Sequence, residues 1–182
     1  DTVATIEAAG GKALAFKADV TDEDQVVRLL AAAKDTFGSL DILMANAGGP
    51  VGTALTTELT EDAWNAGLDL NCKSVFYCVK HAIPLLPDRT GRVIITGSIS
   101  ARSGAMPGAL TYVAAKGAIT NMVRNWAKEL GPRGITVNAI APGVIWTRIH
   151  EKGTPPDARE KLVARTPIGR VGKPADCVGA AG

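Results

Sequence analysis

Apolar residues in this chain occur in two patterns, short continuous runs and longer stretches where they return every third or fourth position. The runs are typical of strands and the periodic stretches of amphipathic helices. The runs predict four strands, at 12–20, 40–45, 92–96 and 135–141. The run at 40–45 is apolar except for one charge, which favours a strand buried on both faces of a parallel sheet.

The periodic stretches predict helices between these strands. Val26, Leu30, Ala33 and Phe37 follow at i, i+4, i+7 and i+11 and form one stripe. Thr21 comes just before the acidic first turn of this helix, and we interpret it as the N-cap.

Further helices follow along the chain. The chain opens with the end of a helix that Gly10 closes, and a helix capped by Thr60 spans 62–86 with a bend near Gly67 or Asn71. A helix containing Tyr112 ends in Leu-Gly-Pro at 130–132. The polar stretch 148–173 is interpreted as a substrate lid with a short helix at 157–164, and a last helix opens after it.

Strands and helices alternate over the whole chain, which predicts one α/β domain spanning 1–182, a parallel sheet with helices on both faces. In such sheets ligands lie beyond the carboxyl ends of the strands. Asp19 lies at the end of the first predicted strand, and Asn46, Ser98 and the pair Pro142-Gly143 follow the other three. Four unusual turns at one edge therefore predict a ligand site there.

Composition narrows the function classes. The 182 residues are 46% hydrophobic and 21% charged, which suits one globular core. The net charge is +2 with scattered basic residues, and no apolar run approaches the ~18 residues of a membrane span, so neither nucleic acid nor membrane is expected as a partner. The three cysteines have no ligand or disulfide spacing, which favours a reducing compartment, the cytoplasm. The two histidines are far apart, and no metal site is predicted.

Tyr112 and Lys116 carry the clearest chemistry. Residues four apart on a helix differ by about 400° of rotation and about 6 Å along the axis, so they share a face. An ammonium beside a phenol favours the phenolate, which lets Tyr112 exchange a proton with a substrate oxygen. Ser98, at the end of an apolar run, could hydrogen-bond the same oxygen. The pair alone is equally compatible with an exposed tyrosine and lysine on an amphipathic helix.

In their order along the chain, these features resemble those of a classical short-chain dehydrogenase/reductase. The resemblance, to the branch of 3-oxoacyl-ACP reductases and glucose dehydrogenases, covers essentially every residue. Its motifs are Asp19-Val20, Asn46-Ala47-Gly48, Asn71, Gly97-Ser98, Tyr112-x-x-x-Lys116 and Pro142-Gly143-x-Ile145-x-Thr147. It implies a Rossmann-like doubly wound sheet, NAD or NADP as cofactor, and hydride transfer between a carbonyl and a secondary alcohol. It also implies a small-molecule substrate and a homodimer or homotetramer.

The resemblance implies four catalytic residues. Tyr112 would be the general acid or base, and Ser98 would polarise the carbonyl. Lys116 would assist Tyr112 and bind the nicotinamide ribose, and Asn71 would hold a water that links Lys116 to solvent. Ser100 competes for the serine role, but Ser98 directly follows the glycine at the strand end.

The resemblance also implies contacts with the cofactor. Asp19 and the Val20 backbone would meet the adenine ring, although Asp19 could instead cap a helix. The turn after the second predicted strand would brace and approach the cofactor, and the turn after the last strand would hold the nicotinamide carboxamide. These two turns contribute Asn46, Ala47 and Gly48, and Pro142, Gly143, Ile145 and Thr147. We expect Trp146, between the last two, to pack.

The family pattern is incomplete here. The glycine-rich pyrophosphate turn, the first two strands and the last strand of the family are absent from the 182 residues. We therefore expect a piece of a longer reading frame that binds dinucleotide poorly in isolation. The missing second strand would decide between NAD and NADP.

Two other functions were weighed. A non-catalytic nucleotide-binding regulatory protein on the same fold need not keep the proton-transfer groups, yet all of them are present. A hydrolase using Ser98 as nucleophile requires Gly-x-Ser-x-Gly. Thr96 and Ser100 occupy both glycine positions, and no histidine is placed as base, so the hydrolase is discarded.

Overall fold

Three parallel strands form the sheet of the computed structural model, which describes residues 2–147, 150 and 156–181. The strands are β1 (Ile42–Ala45), β2 (Arg92–Thr96) and β3 (Thr136–Ile140), in the order β1-β2-β3. Ile42 lies opposite Arg92, which lies opposite Thr136. All three strands therefore end at the same edge, as the sequence predicts.

Helices connect and cover these strands. They are α1 (Thr2–Ala8), α2 (Glu23–Phe37), α3 (Glu61–Leu68), α4 (Ser74–Ala82), α5 (Ser100–Ser103), α6 (Leu110–Leu130), α7 (Pro156–Ala164) and α8 (Ala175–Ala181). A 3₁₀ turn, Gly131–Arg133, follows α6. The predicted lid helix corresponds to α7, while 148, 149 and 151–155 of the predicted lid lie outside the described residues. Among the described helices, none is long and apolar enough to cross a membrane.

The core lies where α2, α4 and α6 meet the sheet. Helix α4 packs against β1 and α2, and α6 packs against β3. β-Branched side chains fill this layer, and burying each of them stabilises the fold by about 1.5–3 kcal/mol. They include Val26, Val75, Val79, Val93, Ile95, Ile119 and Val137. Because this layer holds the three strands in place, it also fixes the position of the edge at which they end.

The predicted strand at 12–20 is wrong. The segment forms no strand, and Leu14 and Phe16 are 46% and 39% exposed. A strand needs a neighbour to accept and donate its main-chain hydrogen bonds. Within the described chain β1 pairs with β2 and does not supply that neighbour to 12–20.

The prediction that β1 is buried on both faces is also wrong. Its side chains alternate between exposed and buried, with Leu43 and Ala45 inside and Ile42 58% exposed. Only the α4 side of this strand is covered by described residues, so an apolar run does not show how many faces are buried.

Asp22, and not Thr21, is the N-cap of α2. The Asp22 carboxylate accepts from the Gln25 backbone N–H at 3.1 Å and from the Gln25 side chain at 2.8 Å. Thr21 instead donates its backbone N–H and its hydroxyl to Asp19. A carboxylate one residue later outcompetes the hydroxyl because it also complements the positive helix end.

The predicted interruption of this helix near Gly67 or Asn71 is confirmed. A π-helical segment, Asp69–Lys73, interrupts the helix between α3 and α4. Single π turns inside α-helices are frequent at functional sites. The segment carries Asn71, which is fully buried.

Candidate active site

The turns that follow the three strands are tied to one another. Thr96, the last residue of β2, donates its hydroxyl to Asn46 Oδ1 at 2.8 Å. The backbone N–H of Ile99 donates to the carbonyl of Pro142 at 3.1 Å. The predicted turns at Asn46, Ser98 and Pro142 thus lie together along one edge of the sheet.

Lys116 lies beneath this edge with its side chain buried. The residue is 2% exposed, and its Nζ donates to the main-chain oxygen of Thr96 at 2.7 Å. Burial lowers the pKa of Lys116, and the neighbouring Cys72 opposes that shift. The ammonium therefore holds its proton less tightly than an exposed lysine does.

Tyr112 lies one turn before Lys116 on α6. The Lys116 Nζ is 5.5 Å from the centroid of the Tyr112 ring, on the same helix face. The two side chains are therefore neighbours, as their four-residue spacing on the helix predicts. Tyr112 is partly buried.

Asn71 connects the π-helical segment to the turn after β1. Its Nδ2 donates to the carbonyls of Gly49 and Gly67, at 2.9 and 3.0 Å. Its Oδ1 accepts from the Gly49 backbone N–H at 2.9 Å. Gly67 lies four residues before Asn71, so the side chain satisfies a carbonyl at the place where the α-helical pattern changes.

Gly48 lies against both Asn71 and Lys116. A Cβ at this position would lie 2.8 Å from Asn71 Oδ1 and 3.5 Å from Lys116 Nζ. The first distance is shorter than side chains tolerate, so the turn requires glycine here. Gly48 thereby joins the turn after β1 to the helix that carries Tyr112.

Ser98 and Ser100 form a hydroxyl pair at the end of β2. The Ser98 Oγ accepts from the Ser100 hydroxyl at 2.8 Å and from the Ser100 backbone N–H at 3.2 Å. A hydroxyl has one donor and two acceptor sites. Both bonds use Ser98 as acceptor and leave its O–H to donate elsewhere. Ser100 is the more buried of the two, and α5, which it begins, packs against α6.

The Asp19-Val20 pair reaches the site from the side of β1. Val20, Asn46 and Ala47 line one cavity of about 120 Å³ that also touches β1 and α4. The Asp19 carboxylate is exposed and accepts from Thr21, which lowers the pKa of Asp19. Asp19 therefore stays ionised and shapes the turn before α2.

The loop after β3 is held by the segment that precedes α8. Ile145 forms an isolated parallel bridge with Gly172. Trp146 lies 4.7 Å from the Arg159 guanidinium carbon and 5.6 Å from the His150 ring, so it packs between the loop and α7. Thr147 Oγ1 is 3.5 Å from His150 Nδ1 and is exposed.

Three residues of this arrangement were not found from the sequence. The Thr96 carbonyl, the Gly49 peptide and Gly172 take part through main-chain atoms, which carry no side-chain signal. The position of Thr96 at the strand end, just before Gly97, is the one clue that was present.

Comparison with known proteins places this geometry in a family. The family described as enoyl-(acyl carrier protein) reductase matches residues 1–182. A 3-oxoacyl-[acyl-carrier-protein] reductase of Thermotoga maritima is 37% identical over 165 residues, which are 90% of this chain and 66% of the relative. A solved short-chain dehydrogenase from Burkholderia cenocepacia in complex with NADP has a TM-score of 0.89 at 34% identity, over 98% of this chain and 71% of that one. The chain belongs to the short-chain dehydrogenase/reductase family.

This short-chain dehydrogenase/reductase chain spans about two thirds of the length of the relatives it matches. A solved NADH-dependent reductase of alginate metabolism is also similar, with a TM-score of 0.86 at 32% identity over 98% of this chain and 70% of that one. The relatives thus include both an NADP complex and an NADH-dependent enzyme. The fold class that the sequence predicts, a Rossmann-like parallel sheet with flanking helices, is confirmed.

Proposed function

We propose that this chain is the catalytic part of an oxidoreductase that interconverts a carbonyl and a secondary alcohol by hydride transfer. The cofactor is NAD or NADP, which supplies or accepts the hydride when bound. The observation that carries the proposal is the buried Lys116 ammonium, bound to Thr96 at the strand edge and 5.5 Å from the Tyr112 ring. The relatives, named reductases and dehydrogenases, support this activity over a non-catalytic binding protein.

Tyr112 holds the proton that the substrate oxygen needs. In carbonyl reduction its phenol protonates the oxygen that becomes the alcohol, and in oxidation its phenolate removes that proton. The adjacent Lys116 cation stabilises the phenolate in either direction. Because burial lowers the pKa of Lys116, its ammonium gives up a proton more readily than that of an exposed lysine.

Ser98 orients the substrate carbonyl. Its hydroxyl accepts two hydrogen bonds from Ser100, which leaves its own O–H as a donor for the substrate. A donor aimed at the carbonyl oxygen stabilises the negative charge that develops there in the transition state. We assign the direct contact to Ser98 and the supporting one to Ser100, in agreement with the choice made from the sequence.

Asn71 is the fourth catalytic residue of the proposal, and it acts by holding the turn after β1. Its three hydrogen bonds to Gly49 and Gly67 fix the position of Gly48 beside Lys116. The water relay implied by the family resemblance remains part of the proposal. In this arrangement the side chain of Asn71 is engaged with the turn, so the water would be bound by main-chain groups of the π-helical segment.

The residues along the strand edge suit a nicotinamide dinucleotide. The cavity beside Val20 and Ala47 accommodates the edge of an aromatic base, and Asp19 can accept from an exocyclic amine. Gly48 keeps the turn free of a side chain where the ribose must approach Lys116. We assign Asn46 to bracing this turn, and Pro142, Gly143, Ile145 and Thr147 to holding the nicotinamide end.

Tyr112→Phe tests the proposal. The variant removes one oxygen and should lower kcat for ketone reduction by about 10²–10⁴-fold, with unchanged affinity for the reduced cofactor. Tyr77→Phe, at the other tyrosine of the chain, is the matched control and should keep normal turnover. Turnover is followed as loss of NADH or NADPH with a panel of ketones that includes a 3-oxoacyl thioester, and affinity by nicotinamide fluorescence.

Two results would count against the activity. A Tyr112→Phe protein with wild-type kcat would remove the proton-transfer mechanism. A full-length protein that binds neither NADH nor NADPH would remove the oxidoreductase itself. Separate titration of the two cofactors also decides the NAD or NADP preference.

The proposal also covers the extent of the domain, the oligomeric state and the location of the protein. One domain over 1–182 contains the site, with 148–173 as a substrate lid that α7 joins to Trp146 through Arg159. A homodimer or homotetramer is supported by Phe76 of α4, which is 42% exposed, and is tested by light scattering. A cytoplasmic location is supported by the free cysteines at 72, 78 and 177.

A further inference from the structure

The loop after β3 is hydrogen-bonded to a segment that lies between α7 and α8. The backbone N–H of Gly172 donates to the carbonyl of Val144 at 2.9 Å, and the backbone N–H of Trp146 donates to the carbonyl of Gly172 at 2.8 Å. These two bonds form the isolated parallel bridge between Gly172 and Ile145. The loop that carries the assigned nicotinamide contacts is therefore paired on one side with main chain.

The pairing sets the direction of the Ile145 peptide groups. In a parallel bridge the residue flanked by two bonded neighbours points its own N–H and C=O to the opposite side. Gly172 bonds Val144 and Trp146, so the Ile145 groups face away from Gly172. The bridge therefore leaves the N–H and C=O of Ile145 unused.

Gly172 lies against the side chain of Ile145 and the main chain of Val144. A Cβ at Gly172 would lie 2.4 Å from Ile145 Cδ1, the end of that side chain, and 3.3 Å from the carbonyl oxygen of Val144. A larger residue at position 172 would therefore require the Ile145 side chain to move. Val171, the preceding residue, is 7% exposed and anchors the segment from below.

An ion pair holds the two ends of this segment together. Arg170 binds Asp176 through both terminal nitrogens, at 2.7 and 2.8 Å, across the turn that contains Gly172. The Asp176 carboxylate also accepts from the backbone N–H of Lys173 at 2.7 Å. Arg170 Nη1 donates in addition to the carbonyl of Val171 at 3.2 Å. Such a bidentate pair fixes geometry as well as charge.

We propose that the Arg170–Asp176 pair is a positioning device that holds Gly172 against Val144 and Trp146 and so presents Ile145 and Thr147 to the nicotinamide end of the cofactor. The inference rests on the proposed function, because it assigns a task within the same site. Neither Arg170 nor Asp176 touches the reacting atoms. Their effect reaches the cofactor through the main chain of Gly172.

Asp176→Asn and Arg170→Lys in the full chain test this role. Each breaks the bidentate pair, which is exposed, and should raise the KM for the cofactor by up to about fivefold, the effect of losing an exposed ion pair, while kcat at saturating cofactor stays within about twofold. Asp88→Asn is the matched control, because it breaks the exposed Asp88–Arg133 pair of 2.7 Å, which lies away from the loop after β3. The control should leave both constants unchanged.

Amide hydrogen exchange of Trp146 and Gly172 supplies a readout that is independent of activity. Both amides should exchange faster in Asp176→Asn than in the wild type or in Asp88→Asn. Faster exchange together with the raised cofactor KM supports the positioning role.

Other outcomes overturn it. Unchanged exchange and unchanged KM would show that the pair does not hold the loop. Faster exchange with unchanged KM would show that the loop is held but does not position the cofactor. A full-length wild-type protein that binds neither cofactor would overturn the proposed function and this role with it, whatever the exchange shows.

Discussion

The side-chain amide of Asn71 pairs with both main-chain groups of Gly49. Its Nδ2 donates to the Gly49 carbonyl and its Oδ1 accepts from the Gly49 N–H, each at 2.9 Å. The pairing reproduces with a side chain what a neighbouring strand does with its backbone. It joins the turn after β1 to the π-helical segment, and thereby to the face of α6 that carries Lys116.

Asn71→Ala should destabilise the protein. The change leaves the Gly49 N–H and the carbonyls of Gly49 and Gly67 without this partner, and each unsatisfied buried group costs about 1–3 kcal/mol. Chemical denaturation measures the loss in the free energy of unfolding. Asn65→Ala, at an exposed position of α3, is the control and should change it little. Equal losses in both variants would show that the pairing of Asn71 with Gly49 does not contribute to the free energy of unfolding.

Gly48→Ala and Gly49→Ala form a matched pair that tests the space beside Lys116. A Cβ at Gly48 would lie 2.8 Å from Asn71 Oδ1, whereas a Cβ at Gly49 meets no atom within 4 Å. Gly48→Ala should therefore lower cofactor affinity and kcat/KM by roughly tenfold or more, since it displaces Asn71 from its partners. Gly49→Ala should keep both. Equal behaviour of the two variants would contradict the close approach at Gly48.

Lys116→Met should change how stability depends on pH. Burial lowers the pKa of Lys116 in the folded state, so the unfolded chain binds the proton more tightly. Protonation therefore opposes folding below the folded pKa, and this opposition is relieved as the pH rises toward the unfolded value of about 10.4. The free energy of unfolding of the wild type should rise relative to Lys116→Met between pH 7 and pH about 10.4.

Urea denaturation of both proteins at matched pH measures this difference. Cys72, whose pKa burial raises and Lys116 lowers, is replaced by alanine in both proteins so that its titration does not enter the difference. A difference that is constant with pH would show that Lys116 is not desolvated. A difference that falls as the pH rises would reverse the sign of the argument.

Glu23 links α2 to α4 and should contribute acid-sensitive stability. Its carboxylate accepts from Lys80 Nζ at 2.6 Å and from His81 Nε2 at 2.7 Å, and both bonds lower the pKa of Glu23. A depressed pKa stabilises the fold above the unfolded value of about 4.3, and the contribution is lost as the pH falls through the folded value. Glu23→Gln should therefore lower the Tm at pH 7, and the gap to the wild type should close in acid.

Glu61→Gln is the control for this measurement. Glu61 and Glu23 each occupy the first position of a helix, so both changes remove the same interaction with a helix dipole. The excess loss in Glu23→Gln is the contribution of Lys80 and His81. Equal shifts in Tm for the two variants would assign the whole effect to the helix ends.

The sequence predicts this site best where side chains carry the signal at short range. Tyr112 and Lys116 are four residues apart on one helix, so their proximity follows from helix geometry. The break near Asn71 is visible as an asparagine inside an apolar helix. The contacts of Lys116 with Thr96 and of Asn71 with Gly49 use backbone atoms more than 15 residues away, and local composition does not encode them.

The same distinction explains the errors in the fold. An apolar run such as 12–20 has strand character, but a strand exists only where a partner is hydrogen-bonded to it. The number of covered faces of β1 likewise depends on what packs against Ile42, far from it in sequence. Capping by Asp22 in place of Thr21 is a local choice between neighbouring residues that both favour a cap, and it depends on where the helix begins.

The π-helical segment makes the length of the chain between α3 and α4 a fixed quantity. A π turn holds one residue more than an α turn, so deleting one residue from Asp69–Lys73 would convert it to α-helix. An α turn closes the same rotation with one residue fewer, so α3 and α4 would keep nearly the same relative orientation. Val75 and Val79 would stay in the core, whereas Asn71 would lose its alignment with Gly49. Insertions and deletions should therefore be excluded from these five positions in functional descendants of this chain, even where substitutions are accepted.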